Sequence, residues 1–295
     1  MPEEVELKLA LGNGGPSSLR EHPSLQPLSS TRITLANTYY DTPDEALEKA
    51  RIALRIRRTP TQTLQTLKTA GHTGAGLSTR GEWEWQIGAD LDLARLAGLP
   101  PMQALDPAVL DALEARFSTH FERHIWHIER NDARIELALD QGEIRSGSQR
   151  AIINEIELEL SDGDPEALWQ LALELAEHVP LRPANASKAA RGGALLKKRW
   201  QGDKRIKSQA NDERDDSPQA RFDRAIDALD AWTDSSDRRF LDLARCALTG
   251  IAEDASQNAQ VREHAHALAT LLVTPDWLTP SFGRHSLALQ IALTT

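Results

Sequence analysis

The chain has 295 residues, enough for one large domain or two ordinary ones, and its 40% hydrophobic and 26% charged residues suit a buried core. A formal net charge of −10 argues against a general nucleic-acid binder, and no stretch reaches the length of a membrane-spanning helix. Cys246 is the only cysteine, which excludes an intrachain disulfide or a cysteine-rich metal site; the acidic N-terminus lacks the basic and apolar regions of a secretory signal, so a cytoplasmic location is expected.

Strand-like runs dominate the first 160 residues, near 3–11, 33–41, 51–59, 62–70, 80–88, 122–130, 133–140 and 151–161. In "EVELK", Glu4, Glu6 and Lys8 are two residues apart and share one face of a strand, with Val5 and Leu7 on the other. "TPDEALEKA" predicts a short helix with Thr42 as N-cap and Pro43 in its first position. "IALRIRR" puts Arg55 and Arg57 on one face, and "LQTLK" adds Lys68. The connector "TAGHTGAGLSTRG" is glycine-rich but lacks the Gly-Lys-Ser/Thr ending of a P-loop. "RGEWEW" sets Arg80, Glu82 and Glu84 against Trp83 and Trp85, which read as packing residues.

"LDPAVLDALEARF" predicts a helix, and "FERHIW" then contributes Arg123. His120, His124 and His127 lie in this strand-like stretch without the helical i, i+4 placement of a zinc motif, and read as ordinary strand residues. "ARIELALD" adds Arg134, Glu136 and Asp140, followed by a predicted turn centred on Gln141-Gly142. "INEIELEL" carries Glu155, Glu157 and Glu159 on one face. A helix is predicted from Asp164-Pro165, and a short one within "SKAARGGALLKKRW". Residues 201–218 read as a linker; residues 219–295 read as helical, with Pro275 and Pro280 breaking the last part.

Any one of these strands suits a sheet with one wet face. Seven of them with long charged side chains of both signs on one face suggest another arrangement. An eight-stranded antiparallel barrel can enclose a small ligand, with the charges inside and the helices covering the apolar exterior. Buried charges need partners, which makes such an interior a binding site. Its arginines suit phosphate oxygens and its carboxylates suit Mg²⁺ or Mn²⁺, which together point to a metal-bound polyphosphate.

The set "EVELK", "NTYYDTPD", "IALRIRR", "LQTLKTAG", "RGEWEW", "IELALDQGEI", "INEIELELSDGDPEAL" and "LRPANASKAARG" resembles, in order, the CYTH proteins, also called triphosphate tunnel metalloenzymes. The likeness covers roughly residues 3–200 and is nearest to the bacterial inorganic triphosphatases. It implies an α+β fold: an eight-stranded antiparallel tunnel with a charged interior and flanking helices over residues 1–200, followed by linker 201–218. The helical appendage at 219–295 reads as a truncated or diverged CHAD-like unit, acidic and without a clear array of His and basic residues.

The resemblance further implies hydrolysis of inorganic triphosphate to pyrophosphate and phosphate, with Mg²⁺ or Mn²⁺ as cofactor and two ions during turnover. Glu4 and Glu6 would hold the metal that bridges substrate phosphates, while Glu157 and Glu159 would serve a second metal and the attacking water. Lys8, Arg55, Arg57, Lys68, Arg80, Arg123 and Lys188 would contact phosphate. Tyr39 would pair its hydroxyl with a lysine, Lys68 in the lesser catalytic alternative, with Tyr40 as the rival tyrosine. Glu82, Glu84, Arg134, Glu136, Asp140 and Glu155 are expected to support these groups. Thiamine triphosphatase, nucleoside triphosphatase and class IV adenylate cyclase activities would fit the same tunnel. A non-catalytic polyphosphate-binding module is the rival from another class.

Overall fold

The structure is a computed structural model that describes residues 3–69, 71–74, 77–130, 132–200 and 216–294. The strands are β1 (Glu3–Leu11), β2 (Thr31–Asp41), β3 (Ile52–Arg58), β4 (Thr63–Thr69), β5 (His72–Gly74), β6 (Leu77–Gln86), β7 (Glu114–Arg130), β8 (Ala133–Ser146), β9 (Gln149–Asp162) and β10 (Leu181–Pro183). They pair in the order β10-β1-β9-β8-β7-β2-β3-β4-β6-β5, and β1 pairs with β6 as well as with β9. This last contact, Glu3–Leu7 against Leu77–Gly81, joins eight strands into a ring. Short β5 and β10 add to β6 and β1.

The period-two pattern decides which side chains face outward. Leu7, Leu9, Leu137, Leu139, Ile156 and Leu158 form an exterior core with Leu168, Leu171 and Leu175 of α6 (Glu166–Leu175). On the opposite side, Leu54, Leu67 and Trp85 pack on Leu47, Leu96 and Met102. Those residues come from three short helices, α2 (Ala46–Lys49), α3 (Leu93–Ala97) and α4 (Pro100–Gln103); α1 is Gly15–Arg20 and α5 is Ala108–Asp111. Trp85 therefore packs between barrel and helix, with the Arg95 guanidinium 4.9 Å over its ring.

One end of the interior is apolar. Leu35, Phe121, Ile144, Ala151 and Ile153 face inward and pack on Leu195 of α7 (Lys188–Lys197), which lies against β7, β8 and β9. A Cβ on Gly192 of α7 would fall 2.1 Å from the Phe117 ring, so only glycine lets the helix sit this deep. The charged interior expected from the sequence is thus a band beside an apolar, helix-filled end.

Two local expectations change. The helix expected over "LDPAVLDALEARF" shrinks to Ala108–Asp111, and β7 begins already at Glu114, where Tyr39 stacks on Phe117 at 4.7 Å. Pairing with β2 here outweighs helix propensity. There is no turn at Gln141-Gly142: β8 runs through it, and the chain reverses at Gly147-Ser148, where Gly147 has φ 57°. Gly142 serves a close approach, since a Cβ there would lie 2.2 Å from the His120 carbonyl oxygen.

After residues 201–215, which include most of the expected linker and lie outside the described residues, come four helices. They are Pro218–Ser235, Arg238–Ala252, Ala259–Leu271 and Pro280–Thr294, here α8 to α11. Pro280 opens α11 as well as ending what precedes it. Phe222, Phe240, Trp277 and Phe282 anchor a core of their own, while Leu287 of α11 joins the barrel's exterior core. No helix among the described residues is long and apolar enough to cross a membrane.

Substituting Gly142→Ala should destabilise the protein by about 3 kcal/mol, read as a lower urea midpoint. An unchanged midpoint would show that β7 and β8 can separate at this point without cost.

Candidate active site

Strand register assembles the polar band row by row. Arg123, Asp140 and Glu155 are neighbours across β7, β8 and β9; Glu157 lies opposite Lys8; Glu136 and Glu159 run on to Glu6. Neighbours directly across a sheet have Cβ atoms about 5 Å apart, so each row places charged side chains side by side.

The densest contact is around Lys188. Its side chain, at the first position of α7, is 6% exposed. The ammonium lies 2.6 Å from Asp140 Oδ2, 2.5 Å from Glu155 Oε1 and 2.9 Å from Glu157 Oε1. A cation at a helix N-terminus is opposed by the dipole, so these carboxylates must offset that as well as desolvation. Ser187 caps the helix by accepting a hydrogen bond from Ala190 N at 3.2 Å. Arg123 donates through Nε and a terminal nitrogen to Asp140, both at 2.7 Å, and also to Glu157. Burial alone would raise the acids' pKa values. Lys188 and Arg123 outweigh it, holding the Asp140 carboxyl below the ordinary range and, with help from Lys8, that of Glu157 well below it. Lys188 is in turn driven above the ordinary lysine range by the three acids, against the effect of burial.

The other part of the band has a different charge balance. Burial pushes Arg57 down to about 10, and repulsion from Arg55 and Arg123 adds to it. Its Nε donates to the neutral Asn37 Oδ1 at 3.0 Å, and Asn37 donates to Thr119 Oγ1 at 2.8 Å. Arg55 lies 3.9 Å from Glu82, and its buried Nε has no hydrogen-bond partner among the described residues. Lys68 Nζ is 2.9 Å from Glu82. Arg57, with a neutral partner and cations beside it, and Arg55, with its open Nε, suit an anion.

Other expected residues lie as follows. Tyr39 is buried on the inward face opposite Arg55, and Tyr40, one residue on, packs with the exterior cluster around Trp85. Glu84 accepts from Thr66 Oγ1 at 2.8 Å. Arg134 stands apart, 63% exposed and paired with Asp162 at 3.2 Å. The Glu4 and Arg80 side chains lie outside the described residues, although their backbones pair across β1 and β6. His124 bonds Glu122 at 2.8 Å.

Among the described residues, one set of carboxylate oxygens is close enough to share a hard divalent cation, and strand register lines up a second row of acids. The Asp140, Glu155 and Glu157 oxygens lie within 4.8 Å of one another, but the Lys188 ammonium sits among them. The row Glu136, Glu159 and Glu6, with Glu4 two residues before Glu6, is the second. Its all-oxygen donor set suits Mg²⁺ or Mn²⁺, and a divalent ion would relieve repulsion between like charges on adjacent strands.

The CYTH domain model matches residues 2–192. The chain belongs to the CYTH family. It is 35% identical over 203 residues to an inorganic triphosphatase of Haemophilus influenzae, a match covering 68% of this chain and 57% of that protein. Among solved structures, it is similar to a protein from Hippeastrum described as an adenylyl cyclase with a dominant triphosphatase activity (21% identity, 65% of this chain and 95% of that one, TM-score 0.48). It is also similar to the inorganic triphosphatase NE1496 (20% identity, 57% and 80%, TM-score 0.25).

Within this CYTH domain, sequence reading missed Arg191, Asn37 and Thr119. Arg191 had a signal: it follows Lys188 by three residues, on the same helix face, and reaches Glu155 at 3.1 Å. Asn37 and Thr119 had none, because their role depends on β2 pairing with both β3 and β7.

Replacing Lys188→Gln should cost about 3–5 kcal/mol near pH 7, because three acids lose their shared cation. Carboxylates with lowered folded-state pKa values contribute stability above the unfolded value of about 4 and lose it as pH falls through the folded value. The gap between variant and wild type should therefore narrow in acid, as measured by thermal melts from pH 3 to 8. Separately, pyrophosphate without metal should raise the wild-type Tm by about 5 °C at saturation. The shift should vanish in Arg55→Ala/Arg57→Ala; equal shifts in both proteins would put the anion elsewhere.

Proposed function

We propose that the chain hydrolyses inorganic triphosphate to pyrophosphate and phosphate with Mg²⁺ or Mn²⁺. The observation that carries this reading is one interior band with a cation-rich part, Arg55, Arg57 and Lys68, next to carboxylates suited to a hard metal. Membership of the CYTH family and the identity to an inorganic triphosphatase support it. A pure anion binder would gain nothing from Glu6, Glu136 and Glu159 facing its ligand.

In this reading, Arg55, Arg57 and Lys68 grip one end of the phosphate chain, and Lys8 and Arg123 hold the middle. Arg80 is assigned to the same set by its family position. Glu4, Glu6 and Glu159 would hold a divalent ion, which supplies charge neutralisation on the phosphate oxygens when bound. A second ion beside Glu157 would require Lys188 to shift towards substrate phosphate.

A water oxygen bonds to the terminal phosphorus as the bond to the bridging oxygen breaks, and pyrophosphate leaves with the bridging oxygen's charge. Glu157, held well below the usual carboxylate range, is a weak base that orients this water, and the water's proton ends on the released phosphate. Lys68, ion-paired to Glu82, acts as a phosphate-holding cation, which makes a Lys68–Tyr39 base the lesser route.

Phosphate release should be followed with tripolyphosphate, thiamine triphosphate and ATP, each with Mg²⁺ or Mn²⁺. Tripolyphosphate should be the best substrate, and Glu6→Ala should lower kcat/KM by about a hundredfold or more. No release from any triphosphate, or full activity in Glu6→Ala, would overturn the reading.

A further inference from the structure

Helix α8 presents Asp227, Asp230 and Asp234 at positions i, i+3 and i+7, one face of a helix. This face is turned inward rather than solvated: Asp227 and Asp230 are 8% exposed and the Asp234 side chain 2%. Each aspartate grips the segment that carries Lys188. Asp227 accepts from Asn185 Nδ2 at 3.0 Å. Asp230 accepts from the backbone N–H groups of Asn185 and Ala186, both at 2.8 Å, and from Arg182 at 2.7 Å. Asp234 accepts from Arg191 Nε at 3.1 Å and from a terminal nitrogen at 2.6 Å.

Arg191 is the link. Its other terminal nitrogen donates to Glu155 Oε2 at 3.1 Å, and the remaining oxygen of Glu155 lies 2.5 Å from Lys188. Arg191 also donates to the Ile152 carbonyl oxygen at 2.6 Å. A continuous chain of charged contacts thus runs from α8 through Arg191 and Glu155 to the ammonium inside the barrel. Burial opposes the charge on Arg191, and Asp234 with Glu155 more than restores it.

We propose that Asp234 is a positioning residue for the tunnel: by fixing Arg191 it orients Glu155, and through Glu155 it sets where Lys188 stands. The helical region after residue 217 is then part of the site's wall. The inference rests on the triphosphatase reading for its kinetic consequence, but not for its structural one.

A double-mutant cycle tests it in the full chain. Asp234→Asn should lower kcat/KM for tripolyphosphate about tenfold in the wild-type background, and by much less in Lys188→Gln, where the group it positions is gone. Asp234→Glu, which keeps the charge, should recover part of the loss and guards against a folding failure of the asparagine variant. In ¹⁵N-lysine-labelled protein, the caged Lys188 ammonium should give a slowly exchanging signal, identified by its loss in Lys188→Gln and weakened in Asp234→Asn. Equal losses of activity in both backgrounds, or a lower Tm with unchanged kinetics and an unchanged lysine signal, would overturn the proposal. A wild type without turnover refutes the triphosphatase reading alone, because the lysine signal still decides whether Asp234 holds Lys188.

Discussion

The ammonium of Lys188, buried against Asp140, Glu155 and Glu157, is the contact on which the polar interior depends. Three acids on two adjacent strands would repel one another, and none could stay ionised out of water without a cation in reach. Lys188, Arg123, Lys8 and Arg191, the last shared with Asp234, supply the positive charge these acids need. That balance requires α7 to enter the barrel end, which requires Gly192 beneath Phe117 and an apolar lining around Leu195. The apolar end and the charged band are therefore two consequences of one inserted helix.

The same balance is not struck around Arg55 and Arg57. Among the described residues, Arg57 donates to an amide and is repelled by Arg55 and Arg123, with Glu84 offsetting part of this, while Arg55 lies 3.9 Å from Glu82. Such an excess is costly in the free protein and favourable once an anion arrives, which is how a fold stores binding energy for a ligand. The contrast between a neutralised region and a less neutralised one gives the band a direction, and the proposed triphosphate reading relies on that direction.

Much of this was legible in the sequence because the strand period is two. Once Glu4, Glu6 and Lys8 share a face, so do Glu155, Glu157 and Glu159, and their apolar neighbours must be covered. The expected strands, the exterior packing of Trp85 and the helix at 166–175 follow from local pattern alone. The misreadings share a cause. Gly142 looked like a turn because glycine usually marks one, but here it answers a neighbouring carbonyl. Residues 114–117 looked helical until β2 offered a pairing partner. The aspartates of α8 carry no mark in the sequence, since nothing in a linear pattern says that a face so charged will be buried.

The sequence by itself determined which side chains share a face, because alternation along a strand and the three-to-four spacing of a helix are properties of the backbone. It also determined the chemical kind of the band: fixed cations and hard carboxylates in nearly equal supply. Only the tertiary structure decided which charges meet. Lys188 lies 33 residues beyond Glu155, and Asp234 a further 43 beyond Arg191. Their pairing depends on how α7 and α8 dock, and docking is governed by shape and desolvation over the whole surface rather than by any local period.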